Sequence, residues 1–517
     1  MSEPTPPGVS GRSVPLAIVA LAVLYVLALG AGWPQYGTQA IVGQQAHHDE
    51  AVAQAETAPI EAPPLWTVIP FVLMLGAIAV LPLVPAAHHW WESNWSKLIV
   101  AGGLALVALA YYAFLHESAL EGHWPAHHVL SPGAGAFDGG FVRTIIENAI
   151  LQEYVLFIVL LFSLYSISGG IRIEGDLQAD PLTNAAFMAV GAVLASFIGT
   201  TGAAMLLIRP LLETNKERKH IAHTIVIFIF IVCNCGGCLL PIGDPPLFLG
   251  YLEGVSFLWT LSLWKEWAFV NGMLLVSYVL IDRIFYYHRE TIADVERDIE
   301  QIGRLRIGGW KLNAPLLVGV VLAVALLDPS KPFIGTTWHP WMYLRELVQL
   351  GLVAISLWFG NRAIRAKNQF NFGAIIEVAA LFIGIFICMQ PALQILSVRG
   401  DELGIDTPPE FFWATGTLSS ALDNAPTYLV FFKTAQAMPN AEGAVLEAGI
   451  EHSILAAISL GAVFMGAMTY IGNGPNFMVK AIAESSGVKM PSFFGYMVYS
   501  FAILLPILAL NVWLFLM

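Results

Sequence analysis

Gly237-Cys-Leu-Leu-Pro-Ile-Gly-Asp-Pro-Pro-Leu-Phe248 and Gly466-Ala-Met-Thr-Tyr-Ile-Gly-Asn-Gly-Pro-Asn-Phe477 are one pattern written twice, 229 positions apart. They share two glycines, an isoleucine, a proline and the closing phenylalanine. In each, an apolar run meets Gly-Asp or Gly-Asn and then proline. Proline brings no N–H and clashes with the preceding turn, so a helix breaks there. Inside a membrane such breaks expose carbonyls and half-helix ends that hold ions.

Two further landmarks repeat in the same order. Glu153 and Glu377 each open an apolar segment, 224 positions apart, and Thr200-Thr201 and Asp423-Asn424 lie 223 apart. Three landmarks at nearly one offset indicate an internal duplication. The expected division is an N-terminal helix and external segment at 1–64, repeats at 65–287 and 314–517, and a cytoplasmic linker at 288–313.

Composition places these segments in lipid. The chain has 517 residues, 57% hydrophobic and 12% charged, about half the roughly 25% charge of soluble proteins. Its formal charge of −13 excludes nucleic acid as a partner. Cys233, Cys235, Cys238 and Cys388 sit inside apolar runs, which argues against a disulfide framework. Val14–Gly32 behind Arg12 has the length of a span; it is read as a retained helix, although Ala28 and Gly30 would also suit a signal-peptide cleavage site.

Further spans are expected at Leu65–Ala86, Leu98–Leu115, Leu151–Ser168, Ile221–Leu240, Glu266–Tyr287, Ala314–Leu327, Trp341–Phe359, Asn371–Ile395, Ser453–Tyr470 and Phe493–Met517. With the N-terminal helix these make about eleven transmembrane helices in an all-α polytopic protein. Leu182–Leu212 and Phe411–Lys433 carry polar knots at mid-length, Gly199-Thr-Thr-Gly202 and Asp423-Asn-Ala-Pro426. Both are read as re-entrant hairpins, since non-helical backbone at membrane depth survives only in a protein-lined or watery site. With 212–220 placed inside, the inner loops collect fifteen of the 24 basic residues and the outer side six. This is the positive-inside asymmetry. The hairpins then approach from opposite faces, as inverted-topology repeats require.

A carboxylate inside an apolar segment is costly and therefore functional by default. Asp244 and Asp423, with oxygens from Asn234, Asn424, Asn473, Thr200, Thr201 and Thr427, make a hard-oxygen cage for a small cation. An anion entering it would meet like charge in a low dielectric. Glu153 and Glu377 are candidate proton relays or dipole-favoured helix starts. Cys233-Asn-Cys235-Gly-Gly-Cys238 and the external His123, His127 and His128 have metal-like spacing, but no transition-metal site is expected. Two membrane aspartates also suit an intramembrane aspartyl protease, yet Pro241 stands where that chemistry wants glycine and Pro391-Ala-Leu lies far from either aspartate.

The Asn234-x-Gly-Gly…Pro241-Ile-Gly-Asp-Pro-Pro and Leu422-Asp-Asn-Ala-Pro-Thr427 runs resemble the ion transporter superfamily, which includes sodium/proton antiporters of the NhaD type, arsenite permeases and citrate and dicarboxylate carriers. The resemblance spans Leu65–Met517 and is nearest to bacterial sodium/proton antiporter-like members. It implies a homodimer in a bacterial inner membrane, with a scaffold part and an elevator-like transport part, and an ion site on Asn234, Asp244, Asp423 and Asn424. The chain departs from NhaD-type members in having Thr200-Thr201 at the first tip and Pro245-Pro246 after Gly-Asp. The expected function is Na+ or Li+ exchange for H+, with no cofactor and no enzymatic activity. The alternative is transport of a di- or tricarboxylate or an arsenite-type anion on the same fold.

The topology has a direct test. Single cysteines in a Cys-free background are expected to react with an impermeant reagent from the cytoplasmic face at 288–311 and from the external face at 401–410. Labelling on the opposite faces overturns the assignment.

Overall fold

The structure is a computed structural model that describes residues 13–51, 60–133, 135–175, 177–290, 306–441 and 443–517. Residues 1–12 and 52–59 of the N-terminal segment, and 291–305 of the expected linker, lie outside the described residues. The strands among the described residues are three short antiparallel pairs, Leu120–Gly122 with His128–Leu130, Arg172–Glu174 with Arg306–Gly308, and Leu446–Glu447 with Ile450–Glu451. Most of the remaining described residues are helical.

Six helices among the described residues are long and apolar enough to cross a membrane: Ser13–Gly30, Asn94–Phe114, Gly139–Ser168, Pro181–Ile198, Trp259–Arg289 and Phe493–Phe515. Gly373–Cys388 and Gln390–Leu403, bent by 42°, add a seventh if they form one span. Leu65–Val80, Ala222–Cys238, Trp310–Leu326 and His452–Met468 are apolar but shorter. The protein is a helical, multi-pass membrane protein.

Local chemistry sets many helix starts. Ser93 accepts from the Trp95 N–H, and Asp180 accepts from the Leu182 and Thr183 N–H groups ahead of Pro181. Thr407 and Glu410 form a capping box ahead of Pro408–Ala421. Each cap satisfies N–H groups that a helix cannot pair internally, for about 1 kcal/mol.

The chain forms two compact units, each built from two separate stretches. Unit 1 takes the residues up to Gly170 and then Gly309–Val398; unit 2 takes Ile171–Gly308 and Arg399–Met517. In unit 1, Asn94–Phe114 packs along Gly373–Cys388. A Cβ on Gly384 would stand 2.6 Å from Ala101 Cβ and 2.8 Å from its Cα, so this crossing depends on a missing side chain. Elsewhere in unit 1, buried Arg365 donates to Ser166 O and Ser356 Oγ, both at 2.6 Å; Ser356 Oγ donates to Asn313 Oδ1 and Asn313 Nδ2 to Gly170 O. Gly309, at φ 73°, starts the helix Trp310–Leu326 where any Cβ would strike Gly170 O at 2.0 Å.

The segment expected to start at Leu151 begins earlier. The helix runs continuously from Gly139 to Ser168, with a π-helical stretch at Glu147–Tyr154 that contains Glu153. Glu153 therefore lies mid-helix rather than at a helix start. The cause is Asp138, which accepts from the Phe141 N–H and begins the helix ahead of a polar turn that hydropathy alone leaves out.

Unit 2 holds two helix pairs and two interrupted helices. Pro181–Ile198 and Thr200–Thr214 meet at Gly199 and pack against each other; Pro408–Ala421 and Asn424–Gln436 do so across Leu422-Asp423. The interrupted helices are Ala222–Val232 with Pro245–Leu252, and His452–Met465 with Gly474–Ser485.

Gly384→Ala is expected to lower the thermal unfolding midpoint of the detergent-purified protein, at a cost of about 1–3 kcal/mol for overpacking. Adding Ala101→Gly should restore only part of the loss, because the Ala101 methyl is the nearest of three clashing atoms and the other two are backbone. An unchanged midpoint in the single variant would show that this crossing is not tightly packed.

Candidate functional site

Both interruptions in unit 2 have the same local construction. The first helix stops at Val232; 3-10 turns follow at Cys235–Cys238 and Pro241–Gly243, and Asp244 is extended at φ −142°, ψ 143° as the N-cap of Pro245–Leu252. The second stops at Met465, makes a 3-10 turn at Gly466–Met468, and leaves Asn473 extended at φ −154°, ψ 139° as the N-cap of Gly474–Ser485. Glycines allow the backbone to fold over itself in both. A Cβ on Gly243 would lie 2.1 Å from Gly237 O, and one on Gly472 would lie 2.6 Å from Gly466 O.

The helix pairs supply hydroxyls to these breaks. Ser196 Oγ donates to Gly236 O at 2.6 Å and accepts from the Leu239 N–H; Ser419 Oγ donates to Ala462 O at 2.7 Å. In the opposite direction, Thr469 Oγ1 in the second break donates to Ser420 O of Pro408–Ala421 at 2.6 Å. Carbonyls freed by the broken helices would otherwise be orphaned away from water, at a cost of about 1–3 kcal/mol each.

At the centre lies the Asp244 carboxylate, 1% exposed. Thr200 Oγ1 donates to Oδ1 at 3.1 Å, Asn473 Nδ2 to Oδ1 at 3.2 Å and Asn424 Nδ2 to Oδ2 at 2.9 Å. All three donors are neutral, so the carboxylate has hydrogen bonds but no cationic counterpart in this network. Gly237 permits the approach of Thr200, whose Cγ2 would be 2.7 Å from a Cβ there. Thr200, Asp244, Asn424 and Asn473 each stand at the first turn or N-cap of a different helix. Four positive helix ends therefore face one carboxylate.

Asn234 and Asn473 tie the two breaks together. Asn473 Nδ2 also reaches Asn234 Oδ1 at 3.2 Å and Cys233 O at 3.1 Å, while Asn234 Nδ2 donates to Asn476 Oδ1 at 2.8 Å and to Ile229 O at 3.0 Å. Asn476 was not among the residues expected from the sequence. Its Nδ2 donates to Gly466 O and Thr469 O, at 2.8 and 3.0 Å, holding the second break open. The signal was present: an asparagine three residues into a helix, just past Gly-Asn-Gly-Pro, where the first copy has Leu247.

The other expected residues take different places. Asp423, part-exposed, accepts from the Ala425 N–H at 3.2 Å and caps its own helix, and Thr427 Oγ1 donates to Asp423 O at 2.9 Å. Asn424 Oδ1 is buried with no hydrogen-bond partner, an oxygen left available beside Asp244. Thr201, half-buried, follows Thr200 without joining the network. Glu153 and Glu377 belong to unit 1, where Gln390 Nε2 donates to Glu153 Oε1 at 3.4 Å and Lys97 Nζ to Glu377 Oε1 at 2.6 Å. The four cysteines are buried as free thiols. His127 pairs with Glu121 at 3.7 Å. No cluster of three or more metal-ligating side chains occurs among the described residues.

Residues 60–516 match a family model described as "Putative citrate transport". A comparison with curated proteins finds no match. With its apolar helices and that match over most of its length, the chain belongs to this citrate-transport family and is a multi-pass membrane secondary transporter.

Proposed function

We propose that the protein exchanges Na+ or Li+ for H+ at Asp244, and that unit 2 is its transport part and unit 1 its scaffold. The observation that carries this is the buried Asp244 carboxylate held only by neutral donors, with the unpartnered Asn424 Oδ1 beside it. A desolvated carboxylate without a cation in its network attracts a small hard cation or a proton. Asp423, at the tip of the second helix pair, supplies the second carboxylate. Competition of cation and proton for the same oxygens yields exchange without further machinery. Glu153 and Glu377 remain candidates for relaying protons.

The same proposal treats the two helix-pair-and-break assemblies as inverted repeats with re-entrant hairpins, within about eleven spans. Supporting it are the matched backbone angles of Asp244 and Asn473 and the matched glycine contacts of Gly237 with Gly243 and Gly466 with Gly472. Each repeat would then contribute to both compact units. A homodimer in a bacterial inner membrane, without cofactor, completes the proposal.

A second reading has its own support. The family description and the four positive helix starts around Asp244 favour a citrate-like carboxylate as cargo. On that reading a cation bound at Asp244 would screen the approaching anion.

One experiment separates them: everted vesicles with a pH-sensitive dye, given Na+, Li+, K+, citrate and arsenite in turn. Na+- and Li+-induced dequenching is expected, with apparent affinity rising as pH increases and protons stop competing. A response to citrate alone would favour the anion carrier.

Asp423→Asn and Asp244→Asn are each expected to abolish Na+-induced dequenching while leaving expression and monodispersity intact. A charge lost about 4 Å from a bound cation costs about 4 kcal/mol at an effective dielectric of 20, or roughly a thousandfold in affinity. Asp244→Glu should shift affinity and keep some exchange. Full activity in Asp423→Asn would dispose of cation–proton competition at that residue.

A further inference from the structure

The helix that follows each break reaches back into it. Trp267, on Trp264–Ile281, donates its indole N–H to Gly236 O at 3.1 Å, and Tyr496, on Phe493–Tyr499, donates its hydroxyl to Ala467 O at 2.8 Å. The two aromatic residues stand 229 positions apart, the offset that also relates Gly237 to Gly466 and Gly243 to Gly472. One turn further on, the same offset pairs Asn271 with Ser500, and each donates to the carbonyl of its own aromatic residue. Asn271 Nδ2 lies 2.8 Å from Trp267 O and Ser500 Oγ 3.3 Å from Tyr496 O. The offset continues to Asp282 and Asn511, both fully buried. The matched pattern therefore extends past the breaks, with an aromatic donor at the same place in each copy.

Each accepting carbonyl belongs to a 3-10 turn beside a glycine that touches the Asp244 centre. Gly237, one peptide bond from the Gly236 carbonyl, lies against both partners of the Thr200–Asp244 hydrogen bond. A Cβ there would meet Thr200 Cγ2 at 2.7 Å and Asp244 Cβ at 3.3 Å. Gly466, next to Ala467, has the corresponding role. A Cβ there would meet Asn234 Oδ1 at 3.0 Å and Asn424 Nδ2 at 3.6 Å, and Asn424 Nδ2 is the donor to Asp244 Oδ2. Displacement of either turn is thus passed directly to a partner of Asp244.

A 3-10 turn has poorer hydrogen-bond geometry than an α-helix, and at membrane depth its carbonyls need donors from the protein. The first break is held at several points: Ser196 and Trp267 both donate to Gly236 O, Asn271 Nδ2 to Cys235 O at 3.2 Å and Thr260 Oγ1 to Leu239 O at 3.0 Å. In the second, Tyr496 engages Ala467 O and Asn476 engages Gly466 O. Tyr496 is fully buried, its ring centre 4.1 Å from that of Tyr470 and 5.6 Å from that of Phe230. Those rings fix the direction of its hydroxyl.

We propose that Trp267 and Tyr496 are paired positioning residues of the transport centre. Each sets the 3-10 turn of one break and, through Gly237 or Gly466, the alignment of Thr200 or Asn424 on Asp244. Neither touches the ion or the cargo. The proposal rests on the Asp244 centre being the transport site and is independent of which cargo it carries.

The test uses the full-length protein with Trp267→Phe and with Tyr496→Phe, which removes one oxygen and keeps the ring. Everted vesicles given Na+ or citrate yield apparent KM and maximal rate, and hydrogen–deuterium exchange of the purified protein reports the order of 233–244 and 466–476. Tyr496→Phe should raise apparent KM roughly three- to tenfold, the size of one hydrogen bond between neutral groups. The maximal rate per folded transporter should stay within about twofold, and exchange should quicken in 466–476 but not in 233–244. Trp267→Phe should quicken exchange in 233–244 instead, with a smaller rise in KM because Ser196 still holds Gly236 O. Trp267→His can place a ring N–H where the indole N–H stood; at alkaline pH, where imidazole is neutral, it should recover most of that loss. Trp264→Phe, exposed on the same helix, should change nothing. A merely structural role would lower folded yield and rate without moving KM, and histidine would not recover them. That outcome overturns the proposal, as does wild-type KM and exchange in Tyr496→Phe. If wild type carries neither Na+ nor citrate, both cargo readings fall and the exchange pattern alone decides the positioning roles.

Discussion

One buried carboxylate organises unit 2. Asp244 has lost its water, and an isolated ionised carboxylate in an apolar interior costs far more than any single packing contact returns. Three donors offset that cost, and each comes from the start of a different helix: Thr200, Asn424 and Asn473. Helix starts can meet at one point inside a bundle only if the helices are interrupted there. Interruption in turn strands backbone carbonyls, which Ser196, Ser419 and Asn476 then engage. The glycines follow from the same constraint, since Gly243 and Gly472 lie where a side chain would strike a carbonyl of their own break. Removing the charge would leave these accommodations without a purpose.

Unit 1 handles charge differently. Lys97, buried, meets Glu377 at 2.6 Å, and Arg345 meets Glu346 at 2.6 Å, so these charges are paired in place. Arg365 is surrounded by carbonyls and hydroxyls at the junction of Gly170 and Gly309. Such groups fix helix ends and turns. Within unit 2, Arg218 and Asp282 do likewise. Against these paired charges Asp244 stands out, because its hydrogen bonds come from groups that cannot neutralise it.

Much of this was legible in the residues. Proline directly after Gly-Asp, and again one residue after Gly-Asn, announced the breaks, and their common offset linked segments that the fold brings within hydrogen-bonding distance. Asn476 escaped notice because its partners are mainly backbone carbonyls, which carry no sequence signature. Glu153 was misplaced within its helix because a polar turn, closed by the Arg143–Glu147 pair at 2.7 Å, extends the helix beyond its apolar run. Of the Arg218–Asp282–His223 cluster only Arg218 enters the sequence reading, as one basic residue of 212–220, since loop charges mark sidedness in a sequence and reveal their partners only when folded. Span lengths were blurred for a related reason: 3-10 and π turns at Leu81–Leu83, Asp282–Tyr286 and Ser500–Leu504 bend or prolong helices without changing their hydropathy.

The family description names a tricarboxylate, while the site is built around a carboxylate, and elementary electrostatics connects the two. Two like charges 4 Å apart repel by about 4 kcal/mol even at an effective dielectric of 20. Citrate carries up to three such charges, and the neutral donors on Asp244 do not cancel the protein's own. The four helix starts contribute roughly half a positive charge each, and three of their first-turn polar groups are already turned toward Asp244. On the proposed reading an anion therefore approaches this centre only after a cation or a proton has occupied it. Both proposed cargo readings therefore place cation or proton binding at Asp244 first, whether the ion is itself the cargo or the condition for carrying an anion.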